Sequence, residues 1–364
     1  MNILIIAGEV SGDLYASHLA KELKQNSTTT IYAIGGDQLK KQADTFIFSS
    51  THNHAVGIES RFTKTHFRTA LLNSIRSLLN QTQIHKVVIV DFQHYNEKIA
   101  SLIAKTIPIY TFITPNFWMW KSTRQAKKVI AYSTKIFTIF EKEFSFYKSL
   151  SNQVFYFGHP LTEILDTTSL TQATNPIQIT LLPGSRPQEF KLYFSTMLQS
   201  IMKLQENKVN FKLVICVSSK RYLPTIQNYL NTFPSLNYEL SEENTTNEIK
   251  KSTLVIAASG STTLEVVLLN KPLIVLAALP KLSYFLAKYI LRIKLPFISL
   301  PNFIANQHIV TELVQSKITP TNLLNHINIT LKTPQKTTKN YNKVISKLKK
   351  SNEIFKNISL ELLK

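Results

Sequence analysis

The sequence predicts an α/β fold made of two doubly wound domains, each a parallel sheet covered by helices, with the sheets facing a cleft. Three observations predict it. Short apolar runs alternate with helical patterns along most of the chain, the order that a parallel sheet flanked by helices requires. The alternation begins again after residues 158–176, a stretch rich in Thr, Asn and Pro with little periodicity. A chain of 364 residues also exceeds what one core usually holds. We therefore expect domains at 1–165 and 166–330 and a helical tail at 331–364.

In the first half, the runs at 3–7, 31–34, 87–90, 109–113, 135–139 and 154–157 read as strands, being short, rich in β-branched or aromatic residues and bounded by turn signals. Residues 14–25, 65–80 and 96–105 carry the helical period between them. In the second half, strands are expected at 179–182, 212–217, 238–240, 254–257 and 273–276. The opening NILIIAGE has no basic leader or cleavage site and runs into a turn, so it reads as a buried strand rather than a secretion signal. The longest apolar region, 264–300, is broken by Lys271, Pro272, Pro280, Lys281, Lys288, Arg292 and Lys294, so no membrane span is expected.

Composition excludes several classes. The single cysteine, Cys216, lies in the apolar run KLVICV, which rules out a disulfide framework and fits a reducing compartment. The net charge of +20 attracts nucleic acid and anionic membrane alike. Its basic residues are spread along the chain without zinc ligands or an RNP-like motif, so nucleic acid is not an expected partner, and an RNA-binding protein is the remote alternative.

Two turns in the second half carry the chemistry. ITLLPGSRPQEF and VIAASGSTTLE are each a strand that ends in a Gly/Ser turn and hands over to a helix, presenting backbone N–H groups to an anion. In the first, Gly184 shapes the turn, Ser185 caps and Arg186 forks onto phosphate. In the second, Ser259, Gly260, Ser261, Thr262 and Thr263 open a helix whose first turn holds Glu265, a carboxylate suited to ribose hydroxyls. Either turn alone also fits an ordinary capped connection. Together they point to a nucleoside diphosphate, with Arg186 offsetting the charge of the leaving group.

The first half has its own turn, AGEVSGD, with Gly8, Glu9, Ser11, Gly12 and Asp13. It lacks the third glycine of a dinucleotide fingerprint, and Glu9 would repel a pyrophosphate, so it reads as an acceptor surface. Asp91 ends the run VVIVD, where open sheets place reactive groups. Helix capping is the alternative for Glu9, Asp13 and Asp91.

The motifs AGEVSGD, AIGGDQL, HAVGIE, FITPNFWMW, FEKEFSFY with FGHPL, LLPGSR, ASGSTTLE and ISLPNFIAN, in that order, resemble the lipid-A-disaccharide synthase family over nearly the whole chain. The resemblance implies a GT-B, inverting glycosyltransferase that joins UDP-2,3-diacylglucosamine to 2,3-diacylglucosamine 1-phosphate (lipid X). The products would be the β-1,6-linked disaccharide 1-phosphate of lipid A and UDP. It also implies a peripheral enzyme on the anionic cytoplasmic face of the inner membrane of a Gram-negative bacterium. A homodimer is left open, and no cofactor or metal ion need be invoked. It adds Asn302, in the SLPN turn, to the donor site, and makes Asp91 the general base with Glu9 as rival.

The chain departs from the family in two places. His94 stands where a second acid is common and is either itself a candidate base or a packing substitution. The apolar series after Ile58 is interrupted by Glu59, Ser60 and Arg61, leaving Phe62, Phe67, Leu71 and Leu72, with Lys64 and Arg68, to supply either a membrane-facing side or a helix packed on its own sheet. Residues 281–294 offer the same choice, and Phe117, Trp118 and Trp120 could meet an acyl chain or fill the core. Another UDP-sugar enzyme of the same architecture, such as a UDP-N-acetylglucosamine epimerase, is the alternative function.

Overall fold

The computed structural model describes residues 1–50, 61–92, 95–119, 121–167, 176–184, 187–242, 244–278 and 296–364. The chain divides into two compact units, Met1–Ile164 with Lys347–Lys364, and Leu165–Ser346. The residues expected as a separate tail at 331–364 are therefore shared out, those to Ser346 with the second unit and the rest with the first.

The first unit holds seven parallel strands: β1 (Asn2–Ala7), β2 (Thr30–Gly35), β3 (Thr45–Ser49), β4 (Lys86–Val90), β5 (Ile109–Phe112), β6 (Lys135–Thr138) and β7 (Val154–Tyr156). Their order is β3-β2-β1-β4-β5-β6-β7. Ile5 at the centre pairs with Ala33 on one side and Val88 on the other. Ile3, Leu4, Ile5, Ile6 and Ala7 are all fully buried, as continuous apolar strands must be when helices cover both faces of a sheet.

The second unit repeats the plan with β8 (Ile177–Leu182), β9 (Phe211–Cys216), β10 (Glu239–Ser241), β11 (Leu254–Ala258), β12 (Leu273–Ala277) and β13 (Thr311–Val314), in the order β10-β9-β8-β11-β12-β13. Leu181 pairs with Ile215 and Ile256. The strands that the sequence pattern did not reveal, β3 and β13, are both edge strands.

Both sheets wind outward from their first strand, then return to its other side. The order reverses between β1 and β4 in one unit and between β8 and β11 in the other. At such a reversal the connections leave in opposite directions and open a crevice at the carboxyl ends of the strands, where open α/β sheets bind their ligands.

Helices complete each unit. The helix Val10–Asn26 follows β1, and the terminal helix Ile354–Leu363 packs on it, with His18 stacked on Phe355 at 5.3 Å. Glu163 accepts from the N–H of Phe355 at 3.2 Å and that of Ile354 at 2.5 Å, satisfying donors at the start of that helix. On the helix Arg61–Gln81, Leu71 and Ile75 are fully buried and Phe67 packs on Phe48 and Tyr95. Much of its apolar side is thus spent on its own sheet rather than left to face a membrane. Among the described residues no helix is long and apolar enough to cross a membrane.

Candidate active site

In the first unit, the expected residues meet at the reversal between β1 and β4. The N–H of Gly8 donates to the Val90 carbonyl at 3.1 Å. A Cβ on Gly8 would stand 2.3 Å from the Phe92 ring, and one on Gly12 would stand 3.0 Å from Asp91 Cβ. The glycines of AGEVSGD therefore let the loop after β1 lie directly against the loop after β4. Ser11 Oγ donates to Asp91 Oδ2 at 3.4 Å. Glu9 precedes the helix with extended backbone (φ −109°, ψ 163°), makes no side-chain cap, and is half-buried.

Asp91 sits in the left-handed region at φ +44°. Its neighbour on the next strand end, Ile113, does the same at φ +68°, although a β-branched side chain is badly suited to that conformation. Each such residue costs on the order of 1–3 kcal/mol and persists only where its surroundings hold it, typically at functional sites. The holding contacts are visible: the N–H of Asp91 donates to Phe112 O at 3.1 Å, and that of Ile113 to Phe137 O at 2.9 Å.

Beyond Ile113 the loop is anchored by Glu143, a fully buried carboxylate that accepts from Thr114 N at 3.0 Å, Thr114 Oγ1 at 2.6 Å, Ile139 N at 2.9 Å and Phe140 N at 3.3 Å. Burial pushes its pKa up to about 7 against the pull of those bonds. Next to it, Trp118, Phe140, His159 and Tyr15 form a ring-packed cluster, and burial holds His159 near a pKa of about 3, hence neutral. Trp118 is part of the core.

Asp13 is placed differently from the expectation. Its carboxylate is buried and accepts from the N–H groups of Gly36, Gln38 and Leu39 at 2.6, 3.0 and 3.2 Å, tying the start of the short helix Asp37–Lys40 to the helix after β1. Burial raises its pKa and the three N–H groups oppose the rise. It shapes the turn of AIGGDQL rather than facing a ligand.

In the second unit, the two Gly/Ser turns flank the reversal between β8 and β11. Gly184 adopts φ +112°, and a Cβ there would collide with Glu189 at 2.0 Å, so the turn needs glycine twice over. Its carbonyl accepts from Ser218 Oγ at 2.9 Å, which ties the end of β9 to the turn. Ser185 and Arg186 lie outside the described residues, as do Glu59, Ser60, His94, Trp120 and residues 281–294. The helix that follows, from Pro187, passes through a π-turn at Phe190–Phe194, a distortion frequent at functional sites.

After β11, Ser259 N donates to Leu276 O at 2.9 Å and its hydroxyl reaches Ile298 O at 3.4 Å. Among the described residues a Cβ on Gly260 would meet nothing within 4 Å, Ser261 is exposed and Thr262 half-buried, so these residues leave a ligand room to approach. Thr263 is buried and its hydroxyl is spent on Gly260 O at 2.6 Å. Glu265 accepts from the Thr246 hydroxyl, and burial raises its pKa.

Asn302 also departs from the expectation. It is fully buried, its Oδ1 accepts from Ile309 N at 2.7 Å and Val310 N at 2.9 Å, and its Nδ2 donates to Val310 O at 3.0 Å. These bonds latch the helix Leu300–Ala305 to the segment entering β13 and leave the carboxamide little capacity for a ligand. Beside it, Glu312 on β13 accepts from Ser299 N at 2.8 Å and Ser299 Oγ at 2.5 Å, while Ser299 caps the helix.

Glu143, Thr246, Ser218 and Glu312 were missed in the sequence. Only Glu143 left a signal there, as the glutamate three residues after Phe140 that returns to the start of its helix.

Residues 3–362 match the family described as lipid-A-disaccharide synthetase. The chain belongs to the lipid-A-disaccharide synthetase family. A lipid-A-disaccharide synthase from Synechocystis is 29% identical over 341 residues, covering 89% of this chain and 86% of the relative. Among solved structures, the UDP-GlcNAc 2-epimerase from Neisseria meningitidis, bound to UDP-GlcNAc, superposes with a TM-score of 0.65 at 15% identity, covering 100% of this chain and 98% of its own. A glycosyltransferase from Rickettsia africae superposes with a TM-score of 0.57 at 14% identity, covering 100% and 98%. At such identities the structures share the fold alone, and that fold is GT-B. Membership in the lipid-A-disaccharide synthetase family makes this chain a glycosyltransferase of lipid A biosynthesis. The family match spans both units, and so includes both strand-order reversals.

Proposed function

We propose that the chain transfers the sugar of UDP-2,3-diacylglucosamine to the 6-hydroxyl of 2,3-diacylglucosamine 1-phosphate, with inversion, releasing UDP. The observation that supports this reading is that Gly8, Ser11 and Asp91 meet at the strand-order reversal of the first unit, with Asp91 in the left-handed region, while Gly184 and Gly260 follow the two strands that flank the reversal of the second. The second unit takes the donor. Gly184, Ser185, Gly260 and Ser261 offer backbone N–H groups to the diphosphate, Arg186 neutralises the departing UDP, Ser259 and Thr262 border it, and Glu265 accepts from the ribose hydroxyls. Thr263 braces the second turn through its bond to Gly260 O, and Asn302 holds the segment entering β13.

The first unit takes the acceptor. Asp91 removes the proton of the attacking hydroxyl while the bond to UDP breaks on the opposite face of the anomeric carbon. Ser11 holds one oxygen of that carboxylate, Gly8 and Gly12 allow the approach, and Asp13 and Glu143 fix the surrounding loops. Glu9 is the rival base. The acylated substrates and the net charge of +20 support work at the anionic cytoplasmic face of the inner membrane.

The test is incubation of the purified chain with UDP-2,3-diacylglucosamine and the monosaccharide 1-phosphate, with mass spectrometry of the products. Disaccharide 1-phosphate and UDP are expected. Consumption of UDP-N-acetylglucosamine without the acylated donor would instead favour the epimerase alternative.

A further inference from the structure

Glu265 lies in the first turn of the helix Thr262–Leu268, yet its bond goes to a different element. Thr246, in the helix Thr245–Lys251 between β10 and β11, donates its hydroxyl to Glu265 Oε1. Among the described residues Oε2 takes no hydrogen bond. The helix that carries Thr246 is itself fixed: Asn244 caps it by accepting from Asn247 N at 3.3 Å, and the Glu248 carbonyl accepts from Gln178 Nε2 on β8 at 3.1 Å and from Ser252 Oγ at 2.6 Å. Threonine adds its own stiffness at χ1.

Other titratable groups nearby do not compete for the carboxylate. Cys216, at the end of β9, has its thiol pushed up to about 12 by burial and by the charges of Glu248 and Glu265, and so is neutral. Glu248 is paired with Lys251 at 3.1 Å and with Gln178 Nε2 at 3.0 Å.

We propose that Thr246 is a positioning residue for donor binding: its hydroxyl fixes Glu265 by one oxygen, so that the other is presented to the two hydroxyls of a ribose. The inference rests on the donor reading above and adds to it what aims the carboxylate. It also fixes the pH dependence. Burial favours the protonated acid, and the Thr246 bond favours the carboxylate that a diol needs. Losing the bond raises the pKa further, so the gain of affinity with rising pH is displaced to higher pH.

The experiment is calorimetric titration of the full chain with UDP and with 2′-deoxy-UDP, repeated at a series of pH values from the ordinary carboxylate range upward. Thr246→Val should weaken UDP on the order of tenfold near neutral pH, the scale of one hydrogen bond to a charged group. It should also move the pH profile upward and erase the preference for UDP over the deoxy form. Thr246→Ser should restore all three, and the unfolding temperature should stay within a few degrees of wild type in both variants. A Thr246→Val protein with wild-type affinity, profile and preference overturns the proposal. If Glu265→Gln leaves UDP binding unchanged, or the wild type takes up no UDP, the donor reading itself has failed and the proposal falls with it.

Discussion

Replacing Glu143 by glutamine tests whether a buried carboxylate holds the strained loop ends of the first unit. The wild-type side chain accepts bonds at both oxygens, from Thr114 N and Oγ1 on one and from Ile139 N and Phe140 N on the other. Glutamine keeps one acceptor oxygen but turns an NH2 group towards two donors, so about two buried bonds are lost. At roughly 1–3 kcal/mol for each buried donor left without a partner, partly relieved by local shifts, we expect a loss of about 2–4 kcal/mol near pH 8, where the wild-type side chain is the ionised acceptor. A second quantity sharpens the test. With a native pKa of about 7 against an ordinary 4.5, the native state binds more protons than the unfolded state between those values, so this group's contribution to stability falls as pH rises through that window. The fall is about 3 kcal/mol at 1.36 kcal/mol per pKa unit. Glutamine does not titrate, so the stability gap between wild type and Glu143→Gln should be wide near pH 5 and narrow by about that amount near pH 8. Differential scanning calorimetry of both proteins across this range measures the gap and cancels the other raised carboxyls, Asp13, Glu163 and Glu265. A gap that is constant with pH, or below about 1 kcal/mol throughout, would mean that the Glu143 carboxylate does not hold these loop ends.

Two further outcomes are expected. Asp91→Asn should remove turnover while UDP still binds with wild-type affinity in calorimetry, because the base and the donor turns belong to different units; a fully active variant would move the base to Glu9 or His94. Asn302→Ala should lower stability by about 2–4 kcal/mol in denaturant unfolding, since it strips three buried bonds from the segment entering β13, with little change in donor KM for chain that remains folded; a large rise in KM without loss of stability would return Asn302 to the donor site.

Much of the fold was legible because parallel strands buried on both faces read as unbroken apolar runs, and these two sheets are made of little else. What escaped notice lies at the edges. β3 and β13 each have only one neighbouring strand; β13 is four residues interrupted by Glu312, and β3 offers just three apolar residues, all of them only partly buried, between Thr45 and Ser49. Asp91 could be singled out from its place at the end of VVIVD, but its left-handed backbone could not, because the contacts that hold it come from Phe112 on β5 and from Gly8 after β1 rather than from local sequence. The same gap explains Asp13 and Asn302. Both stand in turns typical of ligand sites, and both are claimed by backbone N–H groups that only the folded chain brings to them. Thr246 shows the converse: nothing in TTNEIKK marks it, and its meaning comes from Glu265 across the end of the sheet.

The proposed reaction requires a uridine nucleotide to be held at the reversal between β8 and β11 by the turns that follow those strands. Hydrogen exchange of the full chain with and without UDP measures this most directly. Slowed exchange is expected at Gly184, Ser185, Arg186, Gly260 and Ser261, and unchanged exchange at Gly8, Glu9 and Ser11. Protection confined to the loop after β1, or none at saturating UDP, would contradict it.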